Sequence, residues 1–159
     1  MKSPIHLQEV KMRKLFWLLL AAVVIYSGYW MIGAKGTESA IAAWIDSRAS
    51  EGWQAEVADI KTRGFPTRFD TEIREPQLAD PRTGVALSTP RIEILSQSHR
   101  PTRFTLRMAP EVTLASPYQR LDITQDLAEA QLFVDPGPSL TLDHAALSLQ
   151  NMRVASTAT

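Results

Sequence analysis

The 159-residue chain contains no cysteine. That excludes a disulfide framework, a thiolate zinc site and a cysteine for lipid attachment. Glycine is scarce, seven in all, and beyond the apolar run it occurs only singly, so no glycine-rich phosphate loop exists. The one asparagine, Asn151, precedes Met152-Arg153 and is not a glycosylation acceptor. Three histidines, His6, His99 and His144, stand far apart and none is spaced with another as metal ligands would be. They are expected to be solvated. Neither a Gly-x-Ser-x-Gly elbow nor a Ser-x-x-Lys pair occurs. Carboxylate pairs such as Asp122 and Asp126 are isolated. No catalytic residue, cofactor or metal is therefore expected. A hydrolase built on His144 with Asp143, or on His99 with a nearby serine, is the remoter alternative.

Charge of one sign is also missing, since 17 basic residues balance 17 acidic ones. The balance hides an asymmetry. Ahead of the apolar run stand Lys2, Lys11, Arg13 and Lys14 against Glu9 alone, a net +3. From Lys35 onward 13 basic residues face 16 acidic ones, a net −3. Such a mildly acidic region has no basic tract to suggest nucleic acid as a partner.

What the chain does have is Leu15 to Ala34, twenty residues without a formal charge. As a helix this run spans roughly 30 Å, the thickness of a bilayer's hydrocarbon core. Phe16 and Trp17 mark one interface, and Tyr26, Tyr29 and Trp30 lie toward the other. The preceding Lys11, Arg13 and Lys14 keep the amino end cytoplasmic. The competing reading, a cleaved signal, fits less well. The run is longer than the 7–15 residues usual for a signal, and the best cut, after Ala34-Lys35-Gly36, contains a lysine. The expected organisation is a cytoplasmic segment over 1–14, a transmembrane helix over 15–34 and a non-cytoplasmic β-rich domain over 35–159.

Beyond the membrane, Thr37 reads as an N-cap, and Ile41, Trp44, Ile45 and Ala49 recur at helical spacing up to a stop at Gly52. An amphipathic helix over Glu38 to Glu51 is expected, with Trp44 packed on a sheet. After Gly52 the period changes to 2. Arg103-Phe104-Thr105-Leu106-Arg107-Met108 alternates apolar and polar without exception. Similar alternation surrounds Ala55, Ile73, Ile92, Val112, Leu121, Ala128, Leu140 with Leu142, and Leu147. Prolines about ten residues apart punctuate these strands, and Pro81 to Gly84 and Asp135 to Pro138 read as turns. The fold class is α+β, mainly β: one transmembrane helix, one amphipathic helix, then an antiparallel meander forming a curved sheet or half-open barrel. About eight strands at 4.8 Å spacing make a sheet roughly 38 Å wide, whereas one helix about 10 Å across covers two or three strands. The rest of the apolar face must be covered by curling, by a second sheet, by a missing segment or by lipid.

Arg63, Gly64, Phe65, Pro66 and Arg68 form the most individual stretch. As plain structure it is a strand-to-strand connection, with Gly64 at positive φ, Pro66 fixing the exit and Phe65 plugging the edge of the core. As a site, it makes Arg63 and Arg68 contacts for an anion or a partner.

The apolar run ending Ser27-Gly28-Tyr29-Trp30, then Ala42-Ala43-Trp44-Ile45, Glu51-Gly52-Trp53-Gln54-Ala55 and Gly64-Phe65-Pro66 together resemble the start of the bacterial domain-of-unknown-function 2125 family. Leu78-Ala79-Asp80-Pro81 and Ser116-Pro117-Tyr118 fit the same pattern. The resemblance implies an envelope protein of Gram-negative bacteria, set in the inner membrane with its bulk in the periplasm, and with no assigned activity, so it carries over no catalytic residue. Members of the family are longer, so a truncated form is expected. The functional expectation is a membrane-anchored, non-enzymatic binding or structural domain. Its partners would be the bilayer and either a lipid or another envelope protein, and the alternative is a lipid-transfer-like groove.

Overall fold

A computed structural model describes residues 5–134 and 142–158, with side chains from Met12 onward except that of Pro101. The side chain of His6, the expected turn Asp135 to Pro138, and Leu140 lie outside the described residues. The chain divides into two units, Met1–Gly33 and Ala34–Thr159.

One helix, α1 (Ile5–Ser50), contains both expected helices. It is long and apolar enough to cross a membrane. In the first unit its apolar side chains are exposed on every side, from Leu15 and Trp17 to Ile25 and Ile32. A helix apolar all round is suited to lipid rather than water. Thr37 does not cap a new helix, because no break precedes it. The Lys35 ammonium pairs with Glu38 at 3.0 Å, one turn on, and bridges the position of Gly36. A glycine inside a helix costs at most about 1 kcal/mol, too little to stop it here. The helix does end at Gly52, whose φ is +90°. Trp53 N–H donates to the Arg48 carbonyl at 3.1 Å and Gly52 N–H to that of Ala49 at 3.0 Å, a Schellman closure.

The β-region follows as β1 (Gln54–Glu56), β2 (Asp59–Arg63), β3 (Arg68–Arg74), β4 (Gln77–Asp80), β5 (Val85–Ser88) and β6 (Arg91–Gln97). It continues as β7 (Arg100–Met108), β8 (Glu111–Ala115), β9 (Gln119–Thr124), β10 (Leu127–Val134), β11 (Leu142–Gln150) and β12 (Arg153–Ala158). These make two six-stranded antiparallel sheets. Sheet A runs β1-β4-β5-β8-β9-β12 and sheet B runs β11-β10-β7-β6-β3-β2. Neither closes into a barrel.

The two orders reveal a simpler plan. β1 with β2, β3 with β4, and so on to β11 with β12, are six long strands, each bent once and passing from one sheet to the other. The six bends line up as a crease, at Ala58, Glu75-Pro76, Thr89-Pro90, Ala109-Pro110, Gln125-Asp126 and Asn151-Met152. Backbone bonds continue across it. Glu75 N–H donates to the Pro90 carbonyl at 2.9 Å, Ala109 to Arg91 at 2.9 Å, Gln125 to Pro110 at 2.9 Å and Asp126 to Gln150 at 3.1 Å. Proline suits three of these bends, since it has no N–H to leave unpaired where the ladder turns. Glu75 and Asn151 take positive φ, 47° and 51°, at two of them.

Burial is densest beside this crease. Ile73, Ala109, Val112 and Ala128 are buried there. So are Thr89, whose hydroxyl donates to the Glu111 carbonyl at 2.9 Å, and Gln125, whose amide donates to that of Ala109 at 3.3 Å. Away from the crease the apolar rows are only half-buried. In sheet A, register places Ala55, Leu78, Leu87, Leu114 and Leu121 in one row. All five are half-buried. The expected meander is thus present, bent into two sheets that meet along the crease. The opposite face of sheet B is a charge ladder, with Arg107 bonded to Glu129 at 3.0 Å and Arg74 to Glu72 at 3.0 Å.

The second unit also holds the carboxyl half of α1. There Ala34, Thr37, Glu38, Ile41, Ile45 and Arg48 are buried or half-buried at helical spacing. Trp44 is not among them. It is 52% exposed, with the Arg48 guanidinium 5.6 Å from its ring centre, so the expected packing of Trp44 on a sheet does not occur.

Candidate functional site

Among the hollows of the β-region, two have a lining of distinct chemical character, one apolar and one rich in arginine. The first lies between the sheets. Leu106 and Met108 of β7, Ala128 and Ala130 of β10, and Leu147 and Leu149 of β11 line it from sheet B. Val112 of β8 and Ile123 of β9 line it from sheet A, with Gln125 and Met152 at the crease. Its volume is about 240 Å³. Strand alternation aims these side chains inward, because register sets Leu106 opposite Ala130 and Ala130 opposite Leu147. The one polar side chain here, Gln125, is already engaged by the Ala109 carbonyl. Apolar cavities of about 150 Å³ stay dry and take up a hydrocarbon as large as benzene. This hollow is larger but open to solvent, with Leu147 and Leu149 of β11 and Met152 at the crease exposed along it. It can hold an apolar chain, and its side chains offer no acid, base or nucleophile.

The second place is on the opposite face of sheet B. Arg68, Arg100, Arg103 and Arg107 border a concavity of about 430 Å³ with Gln97, Thr105, Gln131 and Phe133. Register explains the gathering: Arg68 sits opposite Gln97, Arg103 opposite Phe133, and Arg107 opposite both Glu93 and Glu129. The Arg103 guanidinium lies 5.2 Å from the Phe133 ring centre, and Phe133 stacks on His144 at 4.0 Å. The Arg107 guanidinium holds the Glu129 carboxyl below its ordinary range, with the Gln131 amide helping.

The stretch singled out in the sequence turns between β2 and β3. Gly64 has φ +105° and its carbonyl accepts the Arg68 N–H at 2.9 Å; the Phe65-Pro66 peptide is cis. Phe65 is 53% exposed and does not plug the core edge as expected. Arg63 and Arg68 jointly border a smaller hollow with Asp70, and Arg68 pairs with Asp70 at 3.2 Å. Sequence reasoning missed Arg100, Arg103 and Arg107, which the strand order brings beside Arg68. Their only sequence signal is alternation, which put Arg103 and Arg107 on one face.

The histidines are not brought together. His99 lies in the β6–β7 turn. His144 bonds to Asp143 at 2.7 Å, and both side chains are more than half exposed. Among the described residues no three His, Asp or Glu side chains are grouped to hold a metal.

No curated protein and no solved structure matches the chain. A family model described as uncharacterized protein conserved in bacteria (DUF2125) matches residues 30–159, the end of the apolar run and all of the β-region. The chain therefore belongs to the bacterial DUF2125 family.

Proposed function

We propose that this protein is a non-enzymatic, single-pass protein of the bacterial envelope. Its amino terminus stays in the cytoplasm, and its creased β-domain, facing the periplasm, shelters an apolar lipid chain between its sheets. The observation that carries this reading is the apolar chamber lined from both sheets and open along β11 and β12. Half-exposed apolar rows in water have a free-energy cost of about 25 cal/mol per Å², which an apolar occupant removes. A helix long and apolar enough to cross a membrane, on the same chain, supports a neighbourhood in which such an occupant is abundant. The basic residues at Lys11, Arg13 and Lys14 favour the cytoplasmic amino end. Hydrolysis is a weaker reading, because the His144–Asp143 pair is solvent-exposed and its ring is stacked on Phe133.

The test uses the full chain in cells. A photo-crosslinking residue at Leu147, which faces the chamber, is expected to give a lipid adduct by mass spectrometry. The same residue at Ser148, facing the other way on β11, is expected to give none. Equal capture at both positions, or none at Leu147, overturns the reading. Alkaline phosphatase fused after Thr159 should be active, and an inactive fusion would refute the periplasmic placement.

A further inference from the structure

The arginines on the outer face of sheet B have no role in sheltering an apolar chain. We infer that they form a binding site for a phosphoryl group. Four arginines, Arg68, Arg100, Arg103 and Arg107, line one concavity of about 430 Å³. One carboxylate, Glu129, lines it, and that group is bonded to Arg107 at 3.0 Å. Arg68 is bonded to Asp70 at 3.2 Å. Arg100 and Arg103 have no carboxylate partner among the described residues. Those two differ from Arg74 and Arg91 elsewhere on the outer ladder, which pair with glutamates.

Arg100 and Arg103, gathered on one surface without carboxylate partners, repel each other, and an anion between them relieves that repulsion. A guanidinium presents a planar fork of N–H donors that matches phosphate oxygens two at a time. Gln97, Thr105 and Gln131 add neutral donors along the same border. The stacking of Arg103 on Phe133, and of Phe133 on His144, holds one fork in place. The strands supply rigid backing, since Arg103 and Arg107 lie on β7, which is hydrogen-bonded on both sides.

The phosphoryl group has two sources, an anionic phospholipid headgroup or soluble phosphate. The experiment uses the full chain in uncharged dodecyl maltoside micelles, with the Nε–Hε resonances of Arg100 and Arg103 followed by nitrogen-15 NMR. One arm adds inorganic phosphate at constant ionic strength. The other dopes the micelles with phosphatidylglycerol, using phosphatidylcholine as the comparison. A saturable shift with inorganic phosphate supports the site and assigns it soluble phosphate. A shift with phosphatidylglycerol alone supports it and assigns the headgroup. No shift in either arm, or an equal shift of Arg153 on β12, overturns it. In the Arg100→Gln/Arg103→Gln double variant, the response read at the Thr105 and Gln131 amides should weaken roughly tenfold or more. An unchanged response there also overturns the site. Should that variant fail to fold, Arg100→Lys/Arg103→Lys keeps the charge and removes the forks. It too is expected to bind more weakly, and undiminished binding counts against the site.

Discussion

The Glu38 carboxylate, on the helix, accepts the backbone N–H of Thr62 at 2.8 Å across 24 residues of sequence. Thr62 lies on β2, the edge strand of sheet B, so a helix side chain occupies a donor that an edge strand otherwise leaves open. The other outer strand of that sheet, β11, is exposed along its whole length. The sheet is therefore guarded at one edge and open at the other, on the side of the apolar chamber.

Glu38 should make stability depend on pH in acid. The Thr62 N–H, and then Lys35, hold the Glu38 carboxyl below its ordinary range. A depressed carboxyl stabilises the fold above the unfolded-state value, and that contribution fades as pH falls through the depressed folded value. The melting temperature of the wild type is expected to fall more steeply through this acid range than that of Glu38→Gln. Parallel curves would refute the role given to Glu38. At neutral pH Glu38→Ala should cost about 1–3 kcal/mol, because the Thr62 N–H loses its partner.

Two glycines should respond to alanine with opposite signs. Gly36 lies inside α1 with open space where a Cβ would be. Gly36→Ala is expected to stabilise the helix by about 0.5–1 kcal/mol. Gly64 has φ +105°, and a Cβ there would meet the Arg68 Cβ at 2.9 Å and its carbonyl oxygen at 3.0 Å. Gly64→Ala should destabilise by about 1–3 kcal/mol. Denaturation of the two variants reads both signs, and a neutral Gly36→Ala would argue for a break in the helix there.

Trp44 should matter little to folding. Its exposed ring keeps chiefly the contact with Arg48, so Trp44→Ala is expected to cost about 1 kcal/mol or less. Ile73→Ala, beside the crease, should cost about 2–5 kcal/mol. Equal losses in urea unfolding would contradict the exposure of the tryptophan.

Thr62 and Thr71 should behave as a coupled pair. Their hydroxyls bond at 2.9 Å, and Thr71 is 2% exposed. Thr71→Val strands the Thr62 hydroxyl and should cost about 1–3 kcal/mol. Thr62→Val/Thr71→Val is expected to cost less than the two single variants together, because both polar groups leave at once. Strict additivity in a double-mutant cycle would rule out the bond.

Much of the fold is legible in the residues. Alternation marks β7, and Gly52 marks the helix end, because backbone geometry and side-chain periodicity are local properties. The crease was not legible as such. Between Ile73 and Leu78, and again between Ile123 and Ala128, the phase of the alternation slips by one residue as the strand turns. A local reading registers that slip as the end of one strand and the start of another. Pro76, Pro90 and Pro110 look like strand ends for the same reason, although they sit at bends. In the candidate sites, Arg63 and Arg68 stood out through their neighbours Gly64 and Pro66. Arg100 and Arg103 did not, since their nearness to Arg68 depends on which strands pair.

By itself, then, the sequence determined an apolar helix able to cross a membrane, a β-rich remainder with one apolar face, and membership of the DUF2125 family. Charge, length and periodicity are readable one segment at a time. Only the tertiary structure decided how that face is arranged: each strand bends and passes between two sheets, leaving a hollow beside the crease lined from both. It also decided that Lys35 and Gly36 join one helix rather than separate two. Both outcomes depend on contacts and pairings between distant residues, and no local pattern carries that information.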